Sequence, residues 1–363
     1  MADLLKNMYN HDTLHDLARK IQSVYPPFQI DEFLKSTMDE TWEDLALKAR
    51  VRKITMNLGK HLPTEYGEAL DILDKVAARC TNGFFGIVFP DFVEVYGQDE
   101  GNWDLSIAAL ERYTPYSSSE FAVRPFIISH EERMMAQMYI WSKHENEHVR
   151  RLASEGCRPQ LPWGQALTKF KKDPAPILPI LQQLKKDPSL YVRKSVANNL
   201  NDISKTHPEL AAKLAKEWYG DNEYTDWIVK HGCRTMLKNG NRDVLDLFGY
   251  DDADCIDTGD FVLEAATISL GEDLSFSFRI SSGEAVKVRL EYGIDYVKAN
   301  GKRNRKIFQI SETSLNKNEE KVYSKKHSFA DLSTRKHYGG IHSIALIVNG
   351  VEQHKLDFEL LCR

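Results

Sequence analysis

Hydrophobic residues recur at three- and four-residue spacings from the N-terminus to about residue 245, which is the pattern of amphipathic helices. Leu47, Val51, Ile54 and Leu58 form one such series. Proline and glycine interrupt the pattern at short intervals, so each predicted helix is short. The first two thirds of the chain are therefore predicted to be helical.

Two segments of this region resemble each other at a fixed spacing. In "HENEHVRRLASEG" and "KDPSLYVRKSVANN", Val149 aligns with Val192 and Arg150 with Arg193, 43 residues apart. This is the period of HEAT-type helix pairs, which stack because no single pair can bury its apolar face. A weaker third copy follows Gly220. We therefore predict a HEAT-like α-solenoid.

After about residue 250 the pattern changes to alternation of apolar and polar residues, as in "LSFSFRISSG" and "AVKVRLEYGIDYV". Asn300-Gly301 and Asn349-Gly350 are dipeptides typical of hairpin turns. The Cys–Trp–Cys signature of true immunoglobulin domains is missing, because Trp227 is the last tryptophan. The pattern predicts a helical domain over residues 1–248 and a C-terminal antiparallel β-sandwich, Ig-like, over residues 249–363.

Apolar runs and cysteines exclude several classes of protein. No apolar run approaches the ~20 residues of a membrane helix, and the N-terminus lacks the apolar stretch of a signal peptide. The five cysteines form no C-x-x-C pair, which argues against a zinc ribbon and against a disulfide framework. We expect a cytoplasmic protein of the bacterial type that binds neither a membrane nor a metal and needs no cofactor.

Charge is distributed unevenly along the chain. Residues 141–240 carry 17 Lys and Arg against 11 Asp and Glu, whereas residues 1–140 carry 14 against 22. A face that binds phosphate would explain the basic block, and so would an ordinary solvated helical surface. On charge alone the second explanation is favoured.

The segment "HENEH" (residues 144–148) matches H-x-x-E-H, a zinc-peptidase pattern. His144 and His148 could share a metal if both lay on one helix, with Glu147 as the base. The aligned repeat has the turn residues Asp187 and Pro188 at the corresponding place, so His144 is expected to precede the helix. A five-residue motif without structural context also has a high false-positive rate.

The segment "RLASEGCRPQLPWG" (residues 151–164) carries a more informative cluster. Helical spacing places Arg151, Glu155 and Arg158 on one face, and prolines then hold Trp163 in a constrained turn. A carboxylate, a guanidinium and an indole at a helix end can bind a flat cationic base. An exposed ion pair beside a core tryptophan is the alternative, and it is favoured for this segment taken alone.

Two further segments carry polar residues at helix ends. In "SSSEFAVRPFI", Glu120 precedes Arg124 by four residues, which is ordinary helix chemistry. In "YVRKSVANNLNDISKTHPE", Asn198, Asn199 and Asp202 lie within five positions, a density unfavourable for a helix. Such residues either cap turns or face a ligand, and the sequence leaves both alternatives open.

Together these segments resemble the AlkC branch of the AlkC/AlkD alkylpurine DNA glycosylases. The resemblance covers most of residues 1–240 and is carried, in family order, by "LALKARVRKITMNLGKHLP", "FPDFVEVYG", "SEFAVRPFI", "VRRLASEGCRPQLPWG" and "YVRKSVANNLNDISKTHPE". It implies helical repeats that hold duplex DNA on a concave face, excision of 3-methyladenine and related N3-alkylated bases, and in some members a C-terminal Ig-like domain. Gln160 stands where the family pattern has arginine, which puts one phosphate contact in doubt.

The resemblance also implies roles for individual residues. The candidates for the catalytic lesion pocket are Glu155, Glu120, Asp202 and Trp163. The candidates for contacts with DNA in the helical part are Arg158, Arg124, Arg193, Arg150, Asn198 and Asn199. In the sandwich, we add the basic cluster after the Asn300-Gly301 turn, which comprises Lys302, Arg303 and Arg305.

The chemistry of the reaction agrees with these residue types. A 3-methylated adenine is cationic, so its glycosidic bond is already weakened and no acid is needed. Carboxylates would stabilise the sugar cation and position a water. No lysine nucleophile is required. We therefore expect a monomeric, monofunctional DNA-3-methyladenine glycosylase whose partner is duplex DNA containing alkylated bases. The alternative is a non-catalytic HEAT-repeat scaffold that binds a protein partner.

Overall fold

The computed structural model describes residues 5–80, 83–331 and 336–362. Within them, helices occupy the first part of the chain and strands the last. The helices are α1 (His11–Val24), α2 (Ile30–Thr37), α3 (Leu47–His61), α4 (Tyr66–Ala77), α5 (Val88–Tyr96), α6 (Trp103–Tyr113), α7 (Val123–Ser129), α8 (Glu131–Trp141), α9 (Glu147–Gly156), α10 (Thr168–Lys172), α11 (Leu178–Leu184), α12 (Leu190–Ser204), α13 (Pro208–Trp218), α14 (Glu223–Gly232), α15 (Arg234–Lys238) and α16 (Arg242–Leu247). The predicted helical-repeat fold followed by a β domain is confirmed.

The 43-residue repeat appears in the contacts of two equivalent arginines. Arg150 on α9 donates from Nη1 to the carbonyl oxygens five and six residues before it, at 2.7 and 3.0 Å. Arg193 on α12 makes the same two contacts, both at 2.8 Å. Helices α9, α12 and α14 lie side by side in sequence order. The similarity found in the sequence therefore reflects a repeated structural unit.

The chain forms two compact units. One comprises the chain up to His207 together with Trp218–Gly232, and the other comprises Pro208–Glu217 together with everything from Cys233. The predicted boundary after residue 248 thus falls inside the second unit. Helices α15 and α16 belong to the same unit as the strands. The loop between the two helices lies against the turn that contains Gly350, since a side chain at Gly240 would begin only 2.7 Å from the carbonyl oxygen of Gly350.

The second unit contains two β-sheets. Its strands are β1 (Asp257–Leu263), β2 (Thr267–Ser269), β3 (Asp273–Ser281), β4 (Val286–Val297), β5 (Arg303–Leu315), β6 (Glu320–Ser328), β7 (Gly340–Val348) and β8 (Val351–Leu361). One sheet has the order β1-β3-β6 and the other β2-β8-β7-β4-β5. All pairs are antiparallel except β2 with β8, which is parallel. The periodicity did not predict β6, since only one of its residues is buried.

Alternating residues of the two sheets form the apolar core of the sandwich. The side chains of Phe276, Phe278 and Ile280 on β3 are almost fully buried, as are those of Leu290 and Ile294 on β4. Of the two predicted hairpin turns, Asn349-Gly350 has positive φ at both residues, as a type I′ turn requires. The first turn joins β4 to β5 through Gly301, whose φ is +73°.

His342, one of the buried histidines of the sandwich, is expected to make this domain sensitive to acid. His342 on β7 is fully buried, and its Nε2 lies 2.9 Å from the carbonyl oxygen of Tyr338. Burial lowers the pKa of His342, and the charge of Arg303 lowers it further, although the Tyr338 carbonyl opposes the shift. The folded protein therefore resists protonation of a group that the unfolded chain protonates near pH ~6.5.

We expect the melting temperature of the sandwich to fall as the pH drops below about 6.5. The contribution of His342 is fully present above this value and is lost toward the lower pKa of the folded state. Thermal unfolding followed by circular dichroism of the β signal, at several pH values, measures the effect. In His342→Gln the decline should be shallower, and equal declines in both proteins would contradict the prediction.

None of the described helices is long and apolar enough to cross a membrane.

Candidate active site

Carboxylates and cations alternate in one continuous row in the helical unit. We call this set the acid–arginine row, and its members, in spatial order, are Glu120, Arg151, Glu155, Arg158, Asp202 and Lys205. The nearest N–O distances between successive members are 2.7, 3.7, 2.6, 2.9 and 2.9 Å. The structure thus brings together the three carboxylates that the sequence singled out.

Local spacing and repeat stacking build the row. Arg151 and Glu155 lie one turn apart on α9, and Arg158 follows the helix end, so these three meet as the spacing predicted. Asp202 lies on α12, the next repeat, and accepts a hydrogen bond from Nε of Arg158 at 2.9 Å. The close packing of α9 against α12 therefore brings Asp202 into a row that begins more than 80 positions earlier in the chain.

The middle of the row is buried, whereas its outer end at Glu120 and its opposite end at Lys205 are more open. The exposed fraction is 1% for Asp202, 5% for Glu155 and 7% for Arg158. Burial alone would lower the pKa of Arg158, but Glu155 and Asp202 outweigh it and raise the pKa. Because each carboxylate has a cationic partner, the cost of burying its charge is offset. The row is a pre-organised arrangement of fixed charges.

A cavity of about 480 Å³ lies beside the outer end of the row. Glu120 and Arg151 line it together with the aromatic rings of Phe84, Phe121 and Tyr191. The guanidinium carbon of Arg151 lies 4.8 Å from the centroid of the Tyr191 ring. A carboxylate next to aromatic faces suits a flat, positively charged ligand.

Trp163 lies in a strained turn between α9 and α10. Gly164 N donates to the Leu161 carbonyl oxygen at 3.0 Å, with Pro162 second and Trp163 third in the turn. Trp163 has a φ of +63°, and in turns of this type the third residue is usually glycine. A non-glycine residue there costs about 1–2 kcal/mol. Such strain is found at functional sites, and Trp163 is 53% exposed.

Three of the residues predicted to contact DNA are buried and bonded within the protein. Arg124 is fully buried and donates to the backbone oxygens of Gln165 and Gly156, at 2.5 and 2.9 Å. Asn199 is fully buried and donates to the Ser154 oxygen at 2.9 Å. Arg158 is held between Glu155 and Asp202. Each of these side chains holds neighbouring elements together, and its assignment as a DNA contact stays a prediction.

The two repeat-equivalent arginines also make internal contacts. Arg150 binds both carboxylate oxygens of Asp187, at 2.6 and 3.1 Å, and Arg193 lies 4.0 Å from the centroid of the Tyr224 ring. Both arginines are partly exposed, so their role as DNA contacts remains a proposal. The same holds for Asn198, which is half-buried on α12.

The basic cluster of the sandwich is mostly engaged in ion pairs. Arg305 binds both carboxylate oxygens of Asp295, at 2.7 and 2.9 Å, and also Glu352. Arg303 donates to Ser343 at 2.7 Å. Both lie at the start of β5, directly after the turn. Lys302 precedes the strand and, like the two arginines, is exposed.

The two histidines of "HENEH" do not share a helix. α9 begins at Glu147, and His144 lies before it with Nδ1 accepting from the backbone N–H of Asn146 at 2.9 Å. The ring of His148 instead meets Tyr191 edge-on at 5.5 Å. No group of three or more His, Cys, Asp or Glu residues suited to a metal occurs within the described residues. The zinc-peptidase alternative requires both histidines on one helix, and His144 lies outside α9.

If the protein has the glycosylase activity that the resemblance implies, we expect EDTA to leave that activity unchanged, since the acid–arginine row supplies its charges from side chains alone. The measurement is the rate of base release before and after chelation, with metal content determined on the same sample. Stoichiometric zinc that is lost together with activity would contradict this expectation.

Sequence reasoning missed several residues at the site. Tyr191 and Phe84 line the cavity, and Lys48 on α3 donates to the Trp163 carbonyl oxygen at 3.0 Å. Tyr191 stands directly before the repeated Val192-Arg193 pair, which was a usable signal. No local pattern marks Lys48 or Phe84, because their partners are remote in the sequence.

The helical repeats and the sandwich each match a known family model. A DNA alkylation repair enzyme model matches residues 116–239, which include the whole acid–arginine row. A model described as the C-terminal Ig-like domain of the uncharacterised protein YhaZ matches residues 257–362. The fold and the site therefore define the class as a DNA alkylation repair protein with an added Ig-like domain.

Similarity over nearly the whole chain to two known proteins identifies the family within this class. The chain is 52% identical over 360 residues to the uncharacterized protein YhaZ of Bacillus subtilis (strain 168), covering 99% of this chain and 100% of that one. It also matches the solved structure of the Pseudomonas fluorescens alkylpurine DNA glycosylase AlkC, bound to DNA containing an abasic site analogue. That match has a TM-score of 0.94 and 37% identity, covering 98% of this chain and 99% of the other. The chain belongs to the AlkC family of alkylpurine DNA glycosylases.

Proposed function

We propose that this protein is a monofunctional glycosylase that excises N3-alkylated bases, 3-methyladenine first among them, from duplex DNA in base excision repair. The single observation that supports it most is the acid–arginine row beside an aromatic cavity, in a member of the AlkC family. DNA that contains alkylated bases is the proposed partner, and a monomer in the cytoplasm is the proposed state.

Cleavage of the glycosidic bond is accelerated by a fixed negative charge close to the sugar. An N3-alkylated adenine leaves as a neutral base, so the positive charge passes to the sugar as the bond breaks. Glu155 and Glu120 are the carboxylates we assign to stabilise that charge and to position the attacking water. Arg158 and Asp202 hold Glu155 in place. Trp163 offers an exposed π face to the alkylated base.

The direct test is release of free base from methylated duplex DNA, measured by chromatography under single-turnover conditions, with undamaged duplex as the control. We expect release of 3-methyladenine. The abasic strand should stay intact, and borohydride should trap no covalent adduct between the protein and the DNA. Binding without release would instead support the scaffold alternative. Trapped adduct would contradict a monofunctional enzyme.

We expect the exposed lysines of the sandwich to hold the DNA backbone. Lys302, Lys325 and Lys326 are exposed, whereas the neighbouring His327 is buried between Tyr292 and Tyr296. Replacing the three lysines with glutamine should weaken binding to any duplex. It should also flatten the plot of log affinity against log salt by about 0.9 per lost contact. Lys317→Gln is the control, because it removes one exposed charge from the loop between β5 and β6. Unchanged slopes in a salt titration would show that the sandwich does not contact DNA through these lysines.

A further inference from the structure

Lys48 links α3 to the strained turn that carries Trp163. Its Nζ donates to the Trp163 carbonyl oxygen at 3.0 Å, across 115 positions of sequence. The same Nζ lies 4.7 Å from the centroid of the Phe121 ring, and Phe121 lines the cavity beside Glu120. One ammonium group therefore touches both the backbone of Trp163 and the cavity wall.

The position of Lys48 is itself fixed. One turn along α3, Arg52 binds both carboxylate oxygens of Asp91, at 2.9 and 3.0 Å, and binds Glu94 at 2.5 Å. These ion pairs hold α3 against α5, so Lys48 is presented from a rigid element. Glu94 also contributes attraction to the Lys48 charge.

A tryptophan with positive φ needs its surroundings to hold it in place. Arg124 binds the backbone oxygens of Gly156 and Gln165, on the two sides of the turn. Phe84 packs edge-on against the indole at 6.2 Å. Lys48 supplies the contact on the backbone of Trp163 itself, so its loss would free the residue to relax toward negative φ.

We propose that Lys48 is a positioning residue for base excision, acting through Trp163. Its hydrogen bond keeps the indole at the angle that the alkylated base requires. This inference rests on the proposed glycosylase function. The competing role of a lysine near a DNA site is contact with a phosphate, which would require this ammonium to leave the Trp163 carbonyl and the Phe121 ring.

The first experiment compares Lys48→Met with Lys48→Arg. Small misplacements of a site can cost up to about 10²-fold in rate, and for Lys48→Met we expect a loss of about 10-fold in the single-turnover rate at saturating enzyme. The enzyme concentration at half-saturation should stay the same. Lys48→Arg keeps a donor and should recover most of the rate. Lys60→Met removes a charge from the same helix, where Lys60 donates to Asn57 at 3.1 Å, and should keep the wild-type rate.

The second experiment is a double-mutant cycle with Trp163→Ala. If Lys48 acts through Trp163, Lys48→Met costs nothing further in the Trp163→Ala background. Additive losses would overturn the proposal. So would an unchanged rate in Lys48→Met combined with a flatter salt dependence of binding to undamaged duplex, which is the signature of a phosphate contact.

A readout that does not depend on activity separates this proposal from the proposed function. Acrylamide quenching of Trp163 is obtained as the difference between each protein and its Trp163→Phe counterpart. We expect Trp163 to be quenched more readily in Lys48→Met than in the wild type. Equal quenching would overturn the positioning role even in an active enzyme. Increased quenching in a protein without base release would refute only the glycosylase function.

Discussion

Replacement of Glu155 by glutamine is expected to lower the single-turnover release of 3-methyladenine by about 10²–10³-fold, because one well-placed charge that stabilises the transition state is lost. Glutamine has the same shape, so α9 should remain intact. Arg158 keeps its second partner Asp202 at 2.9 Å, so no buried charge is left unpaired. The loss should therefore appear in the rate and not in the melting temperature.

Glu147→Gln provides the matched control for this variant. Glu147 lies at the start of the same helix, two turns before Glu155, and its side chain is exposed. It should keep the wild-type rate. Full activity of Glu155→Gln would remove Glu155 from the catalytic site, and Glu120 would become the leading carboxylate.

Arg124→Met is expected to destabilise the fold by about 2–4 kcal/mol, since two backbone oxygens, that of buried Gly156 and that of Gln165, lose a charged donor. It should also slow base release by at least about 10-fold, because the turn that carries Trp163 loses its support on both sides. Burial lowers the pKa of Arg124 to about 10, so the side chain is still charged at neutral pH. Thermal unfolding and single-turnover kinetics measure the two effects.

The salt dependence of DNA binding distinguishes this role from a phosphate contact. A phosphate contact at Arg124 would change the slope of log affinity against log salt by about 0.9 when removed, whereas a buried clamp leaves the slope unchanged. Arg133→Met is the control, because Arg133 is exposed and its nearest carboxylate oxygen is 3.6 Å away. That variant should lose less than about 1 kcal/mol. A stable Arg124→Met protein with a flatter slope would restore the phosphate assignment.

Part of the candidate site was predictable because its members are close in sequence. Arg151, Glu155 and Arg158 follow helical spacing, and they do meet at the end of α9. Pro159 and Pro162 predicted a constrained turn at Trp163, but they did not predict that its φ would be positive. Lys48 and Phe84 come from elements whose packing no local pattern reveals, whereas Tyr191 stands beside the repeated Val192-Arg193 pair.

The sequence by itself determined the helices, most strands and the 43-residue repeat, because periodicity and turn chemistry are properties of neighbouring residues. Tertiary structure decided which charges face solvent. An arginine has the same letter in the sequence whether it is exposed or buried, yet Arg124 is fully buried while Arg133 is exposed. Only the stacking of α9 on α12 brings Asp202 to Arg158, and only the approach of α3 brings Lys48 to Trp163. The physical reason is that burial and long-range pairing depend on which faces pack together, and a single stretch of sequence does not contain that information.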